Sequence, residues 1–305
     1  MFPTKILLAT DGSAEAELAA RMAKALAERL DSELHVVYAE PLPSSYAFPE
    51  SAVIDPDFQD TVRERAEGDA REKLDEEVEK IRGMGGEIAK SHAVAGRPDA
   101  EIVRVAEEVP AGLVVVGSRG LGGVKRALLG SISSSIVRHA SGSVLVVRGD
   151  QGGVDLTGPI VLAVDGSEEA KMAARAAAKL SAGTGSEVHV IYVLPSPERL
   201  YSHHSYSEEM KESLLEQVRT EARTFLDEQA RGVGSGGGAV AQTYLATGRP
   251  DEEIVELAEE VGAGMVVIGS RGLGGISRAL LGGVSESVSR HAHCPVMVVR
   301  GAVVR

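Results

Sequence analysis

Three features of this 305-residue chain predict an α/β protein made of two tandem, doubly wound domains. Short apolar runs alternate with longer stretches whose apolar residues recur at helical spacing. The whole pattern occurs twice, and each glycine-rich segment directly follows an apolar run. Apolar runs separated by helices read as strands of a parallel sheet with both faces covered by helices. The duplication is plain in the residues: ILLATDGS (6–13) returns as VLAVDGS (161–167), and LHVVY (34–38) returns as VHVIY (188–192). Likewise AGRPDAEIVRVAEEVPAGLVVVGSRG from Ala95 returns as TGRPDEEIVELAEEVGAGMVVIGSRG from Thr247.

In the first copy KILLA is the first strand. Leu18, Met22, Leu26 and Leu30 recur every fourth residue and predict the first helix. LHVVY is the second strand. After a Pro-rich loop, Phe58, Val62, Ala66, Ala70, Leu74 and Val78 form the stripe of a long second helix. Residues 87–94 are expected to be the third strand. Pro98 opens a third helix with Ile102, Val105, Ala106 and Val109 inward. LVVVG is the fourth strand, a fourth helix follows Gly130, and VLVV (144–147) is the fifth strand. The polar stretch GDQGGVDLTGP (149–159) has no periodicity and predicts a linker at 150–157, between domains at 1–149 and 158–305.

Composition is that of a globular chain, with 43% hydrophobic and 25% charged residues. Forty-five acidic against 32 basic residues give a formal charge of −13 with no basic block, which argues against nucleic acid or an anionic membrane as the main partner. The opening MFPTKILLATDGS has only a short apolar run, broken at Thr10 and Asp11, so neither a signal peptide nor a membrane span is expected. Cys294 is the single cysteine, which excludes an internal disulfide. Both features fit a cytoplasmic protein.

The glycine segments are GSRGLGGVKRALLGS (117–131) and GSRGLGGISRALLGG (269–283). A Walker loop would read G-x4-G-K-S/T, and a dinucleotide loop G-x-G-x-x-G; neither fits here. A literal G-x-G-x-x-G does occur at Gly232, Gly234 and Gly237, but after a helix and before a strand, and it reads as a flexible turn. The recurring pattern is Gly117, Gly120 and Gly130 followed by Ser131, running from the end of the fourth strand to the start of the fourth helix. Bare N–H groups and the helix dipole at such a start favour a phosphate. Gly130 would let an anion approach, Ser131 would add a donor, and Gly117 and Gly120 would let the loop fold back. The competing reading is that the glycines only close turns and Ser131 only caps a helix.

The spacing G-x2-G-x9-G-S/T, an aspartate ending the first strand and five alternating strands resemble the universal stress protein family in its tandem form. The resemblance covers both halves almost end to end. It implies an open five-stranded parallel sheet in order 3-2-1-4-5, and ATP as ligand with Mg2+ as a candidate companion. It also implies a homodimer acting in stress response through an unidentified protein partner.

Position by position, the resemblance sets Asp11, with Thr10 before it, against the ribose and the backbone of Val36 against the adenine. Gly117 and Gly120 would line the path to the phosphates, which Gly130, Ser131, Ile132 and Ser133 would hold. The second copy offers Val164, Asp165, Val190, Gly269, Gly272, Gly282, Gly283, Val284 and Ser285, and departs from the pattern where Gly283 replaces Ser/Thr.

The segment DGS after a strand is also a common turn into a helix. With Ser13 and Ser167 present as caps, Asp11 and Asp165 are left as acceptors facing the crevice. Arg119 and Arg271 lie inside the loops, and Arg126 and Arg278 lie nearby; all are candidates to reach phosphates, although surface arginines are commonly solvated. His35 and His189 read as hydrogen-bonded structural groups. HAHC (291–294) lacks a partner cluster for a metal, and YSHHSY (201–206) reads as surface loop. One aspartate per site, no duplicated Ser-His-Asp set and no cysteine in the first half leave no catalytic residue to assign, and slow ATP hydrolysis is the most expected. Three classes stay open: a nucleotide-dependent regulatory module, a slow ATP-hydrolysing or nucleotidyl-transferring enzyme, and a scaffold that binds no nucleotide.

Overall fold

The computed structural model describes residues 4–42, 56–120, 129–149, 156–196, 207–272 and 281–301. They form two compact units, one within residues 4–149 and the other within 156–301. The first unit runs β1 (Lys5–Thr10), α1 (Ala14–Leu30), β2 (Glu33–Pro41), α2 (Pro56–Gly83), β3 (Lys90–Gly96), α3 (Pro98–Glu108), β4 (Leu113–Gly117), α4 (Ser131–His139) and β5 (Ser143–Val147). The second runs β6 (Ile160–Ala163), α5 (Glu168–Thr184), β7 (Glu187–Leu194), α6 (Glu208–Ser235), β8 (Ala239–Thr247), α7 (Pro250–Glu260), β9 (Met265–Gly269), α8 (Gly283–His291) and β10 (Val296–Val299).

All strand pairs within each unit are parallel. The first unit orders them β3-β2-β1-β4-β5. The second orders them β8-β7-β6-β9-β10, the same 3-2-1-4-5 winding. The central strands are the most apolar because helices cover both their faces: Ile6, Leu7, Leu8, Val114 and Val115 are fully buried. Winding reverses between β1 and β4, and between β6 and β9, so the carboxyl ends of these strands border a crevice.

Helix α1 buries Leu18, Met22 and Leu26, with Leu30 half-buried at its end. It starts on Ser13, whose hydroxyl accepts from the Ala16 amide at 3.2 Å, and it stops at Asp31 in the left-handed region. Helix α2 buries Ala66, Ala70, Leu74 and Val78, as their stripe predicts; the Phe58 side chain lies outside the described residues. Strand β3 is shifted from the expected 87–94 to 90–96. Its partner β2 continues past LHVVY to Pro41, and pairing from His35–Lys90 to Pro41–Gly96 carries β3 along with it.

The Gly232 segment differs from expectation too. Gly232 and Gly234 belong to the last turn of α6, and Gly236 caps it. Bare backbone is needed because a Cβ on Gly236 would lie 2.9 Å from Ala178 Cβ, where α6 closes on α5. Leu156 is already packed into the second unit, its carbonyl accepting from Ser186 Oγ at 2.6 Å. Among the described residues no helix is long and apolar enough to cross a membrane. The segments 201–206 and 150–155 lie outside the described residues.

Leu8→Ala empties a fully buried position in the central strand of the first unit and is expected to cost about 3 kcal/mol, read by urea denaturation.

Candidate functional site

At the carboxyl end of β1 the chain turns through Asp11 and Gly12 into α1. Asp11 Oδ1 accepts from the Ser13 amide at 3.0 Å, and Asp165 Oδ1 from the Ser167 amide at 3.0 Å. The other carboxylate oxygen faces the glycine loop: a Cβ on Gly120 would collide with Asp11 Oδ2, and one on Gly272 with Asp165 Oδ2. One oxygen of each aspartate is therefore engaged by its own turn, where the sequence left the carboxylate as an acceptor facing the crevice.

Gly117 is bare for a different reason. A Cβ there would stand 2.8 Å from the Glu15 carbonyl carbon, and one on Gly269 would stand 2.8 Å from that of Glu169. The end of the fourth strand thus presses main chain to main chain on the first turn of the first helix, an approach that only glycine permits. At Gly130 a Cβ would meet Ser118 O at 3.3 Å, and the Gly130 amide donates to that same carbonyl at 2.8 Å. The loop's own chain therefore borders Gly130 on the side where a Cβ would project. At Gly283, in contrast, a Cβ would have nothing within 4 Å.

Helix α4 begins at Ser131 with Gly130 as a cap that offers no side chain, and α8 begins likewise after Gly282. Ser131 and Ile132 are exposed there, as is Gly283, with Val284 half-buried. Ser133 and Ser285 point inward: their hydroxyls donate to Gly117 O at 2.7 Å and Gly269 O at 2.6 Å. They tie helix start to strand end, so the donors presented to a ligand are main-chain amides and the Ser131 hydroxyl.

Arg119 pairs with Glu15 at 2.5 Å, and Arg271 pairs with Glu169. Each loop arginine is thus held by an acidic side chain in the first turn of the neighbouring helix. Arg126 and Arg278 lie outside the described residues. Val36 and Val190 are not gathered with this group. Val36 is fully buried in mid-sheet between Leu8 and Ser91, and Val190 lies opposite Leu162; Tyr38 is the residue level with Thr10.

Sequence reasoning missed the wall beneath the Asp-Gly turn. Thr10 Oγ1 donates to Glu77 Oε2 at 2.9 Å, and Lys80 Nζ bonds Glu77 Oε1 at 2.6 Å. Val164 replaces Thr10 in the second unit. A Cβ on Gly12 would face the Glu77 carboxylate at 3.5 Å, whereas one on Gly166 would face the Phe225 ring at 3.6 Å. The long helices have the least similar sequences of the two copies, so residue pairing across 148 positions was not apparent before the fold placed it.

A second correction concerns the outer helices. Ser135 Oγ donates to Asp99 Oδ2 at 2.7 Å, and His139 Nδ1 lies 3.2 Å from that hydroxyl; Ser287, Asp251 and His291 repeat the arrangement at 2.7 and 3.2 Å. A duplicated Ser-His-Asp set therefore exists, hidden by the 36-residue separation of Asp99 and Ser135. It is wired as a brace. The single hydroxyl proton goes to the carboxylate, and His139 Nδ1 lies 2.8 Å from the Ser135 carbonyl, to which it donates. Burial opposes ionisation of Asp99, yet hydrogen bonds from Ser135 and Arg97 outweigh it and hold the carboxyl below its ordinary range; Ser287 and Arg249 do the same for Asp251.

His35 is hydrogen-bonded to His92 at 3.2 Å and His189 to Tyr244 at 2.9 Å. Cys294 is buried. Among the described residues no three His, Cys, Asp or Glu side chains are grouped to hold a metal ion.

Comparison with known proteins agrees with this architecture. The model of the universal stress protein family matches residues 3–148 and again 157–300. A universal stress protein of Mycolicibacterium smegmatis is 30% identical over 302 residues, 97% of this chain and 96% of its own length. One from Methanocaldococcus jannaschii is 34% identical over 148 residues, 48% of this chain and 85% of its own length. Among solved structures, a universal stress protein from Archaeoglobus fulgidus shares the fold with a TM-score of 0.67 at 24% identity, covering 97% of this chain and 98% of that one.

The Asp99 brace has a pH signature. Its folded pKa is depressed, so its stabilisation is complete above the ordinary aspartate value near about 3.9 and is lost as pH falls through the lower folded value. Ser135→Ala is expected to cost about 1 kcal/mol at pH 7 and to raise the Asp99 pKa, measured by thermal melts and by carboxyl NMR titration.

Proposed function

The chain belongs to the universal stress protein family, and from that premise we propose that it is a nucleotide-dependent regulatory module binding ATP at the mouth of each unit. The observation that carries this reading is the start of α4. Its first turn has no side-chain cap, and Ser131 is exposed beside it. Uncapped amides at a helix start are a phosphate site by their dipoles alone. A triphosphate seated there would bring its ribose toward Asp11, whose Oδ2 would exchange the Gly120 backbone for a ribose hydroxyl. Mg2+ would ride on the phosphates, since the described side chains supply no cage of their own.

In this reading occupancy changes which surface the glycine loop presents, and a protein partner senses that change by its differential affinity for the two states. The proposal includes a homodimer, a cytoplasmic location and a role in stress response.

The second mouth lacks the Ser131 hydroxyl. A hydrogen bond to a charged phosphate contributes roughly 1.5–3 kcal/mol, so the second mouth is expected to bind ATP more weakly by about tenfold or more. Gly283 has room for a side chain and no strained backbone. Calorimetry on the full chain is expected to show two unequal ATP sites, with Gly283→Ser tightening the weaker one and Ser131→Ala weakening the stronger. Absence of ATP binding by the native chain at millimolar concentration would overturn the proposal.

A further inference from the structure

The two mouths are walled differently, and this bears on what each one reads. In the first unit the wall is polar and filled by its own partners. Tyr38, level with Thr10, is 7% exposed, as is Glu77. Lys73 stands 5.7 Å over the Tyr38 ring and pairs with Glu40 at 2.7 Å, while Thr10 and Lys80 take both oxygens of Glu77. Among the described residues of this wall Tyr38 is the one aromatic ring, and it is buried.

Among the described residues the corresponding wall of the second unit is aromatic and only half-buried. Val164 has no hydroxyl to give, and Phe225 stands where Glu77 stands. Tyr192 follows Ile191, whose carbonyl takes the Val164 amide at 3.0 Å, so Tyr192 lies at the carboxyl edge of the sheet. Its ring meets Phe225 edge to face, with centroids 5.0 Å apart, and both side chains are half-buried. One helical turn before Phe225 comes Glu221, which bonds Gln217, where the first unit has Lys73 one turn before Glu77. Phe225 borders the Asp-Gly turn, 3.6 Å from where a Gly166 Cβ would be, and burial followed by the Asp165 charge raises the Tyr192 hydroxyl pKa.

A half-buried aromatic pair beside that turn is a stacking platform for a planar base. We propose that recognition is divided between the units: Phe225 and Tyr192 read the base at the second mouth, whereas the first mouth, with Ser131 and a closed polar wall, reads the phosphate chain. The division rests on the nucleotide reading of the mouths, and it fits the absence of a hydroxyl at Gly283.

The test titrates the full chain separately with adenosine and with inorganic tripolyphosphate. The native chain is expected to bind one adenosine. Phe225→Leu is expected to weaken adenosine about tenfold, the scale of one base stack, while tripolyphosphate binding changes less than about twofold. Phe225→Tyr is expected to keep adenosine binding. The paired change Thr10→Val with Glu77→Phe, which installs the second wall in the first unit, is expected to raise the adenosine stoichiometry to two. Adenosine binding that ignores Phe225, or a parallel loss of adenosine and tripolyphosphate in Phe225→Leu, overturns the division alone. Failure of the native chain to bind tripolyphosphate and ATP overturns the nucleotide reading beneath it.

Discussion

The mouth of each unit depends on one contact, the approach of strand-end main chain to helix-start main chain. Gly117 against Glu15 and Gly269 against Glu169 leave no room for a side chain. The approach is possible because the winding reversal puts β4 beside β1, so the chain leaving one strand passes over the helix entered from the other. Everything local follows from that closeness. The aspartate carboxylate reaches the next glycine, the loop arginine reaches an acid in the first turn of the helix, and the serine cap reaches the loop carbonyl at 3.5 Å in one unit and 3.2 Å in the other.

Much of the fold was legible because strands buried on both faces must be written as continuous apolar runs, and VVV or LLA can hardly be read otherwise. The glycine spacing was legible for a related reason: a residue with no side chain marks where something comes near. What came near was not legible. Gly120 faces Asp11 from a distance of over a hundred positions, and a single sequence carries no sign of which partner a bare backbone accommodates. Ser133 and Ser285 illustrate the same limit, since a serine near a helix start can face a ligand or the sheet, and only the neighbouring carbonyl decides.

The Ser-Asp-His brace and the Glu77 and Phe225 walls were illegible for another cause. They join residues on separate elements, helix to helix in the brace and strand end to helix in the walls, so nothing in their spacing announces them. Duplication helped where both copies kept the same residues and misled where they diverged. Thr10 and Val164 look like a minor exchange within a repeated strand, yet the difference comes with a buried, ion-paired carboxylate on one side and an aromatic pair on the other.

The Ser133 hydroxyl, bonded to the last carbonyl of β4, also settles how the fourth helix behaves. It ties the leading turn to the end of β4, so the amides there are held in fixed alignment. The ordering entropy of that turn is met during folding. The helix is thereby fixed at its start to the strand that precedes it.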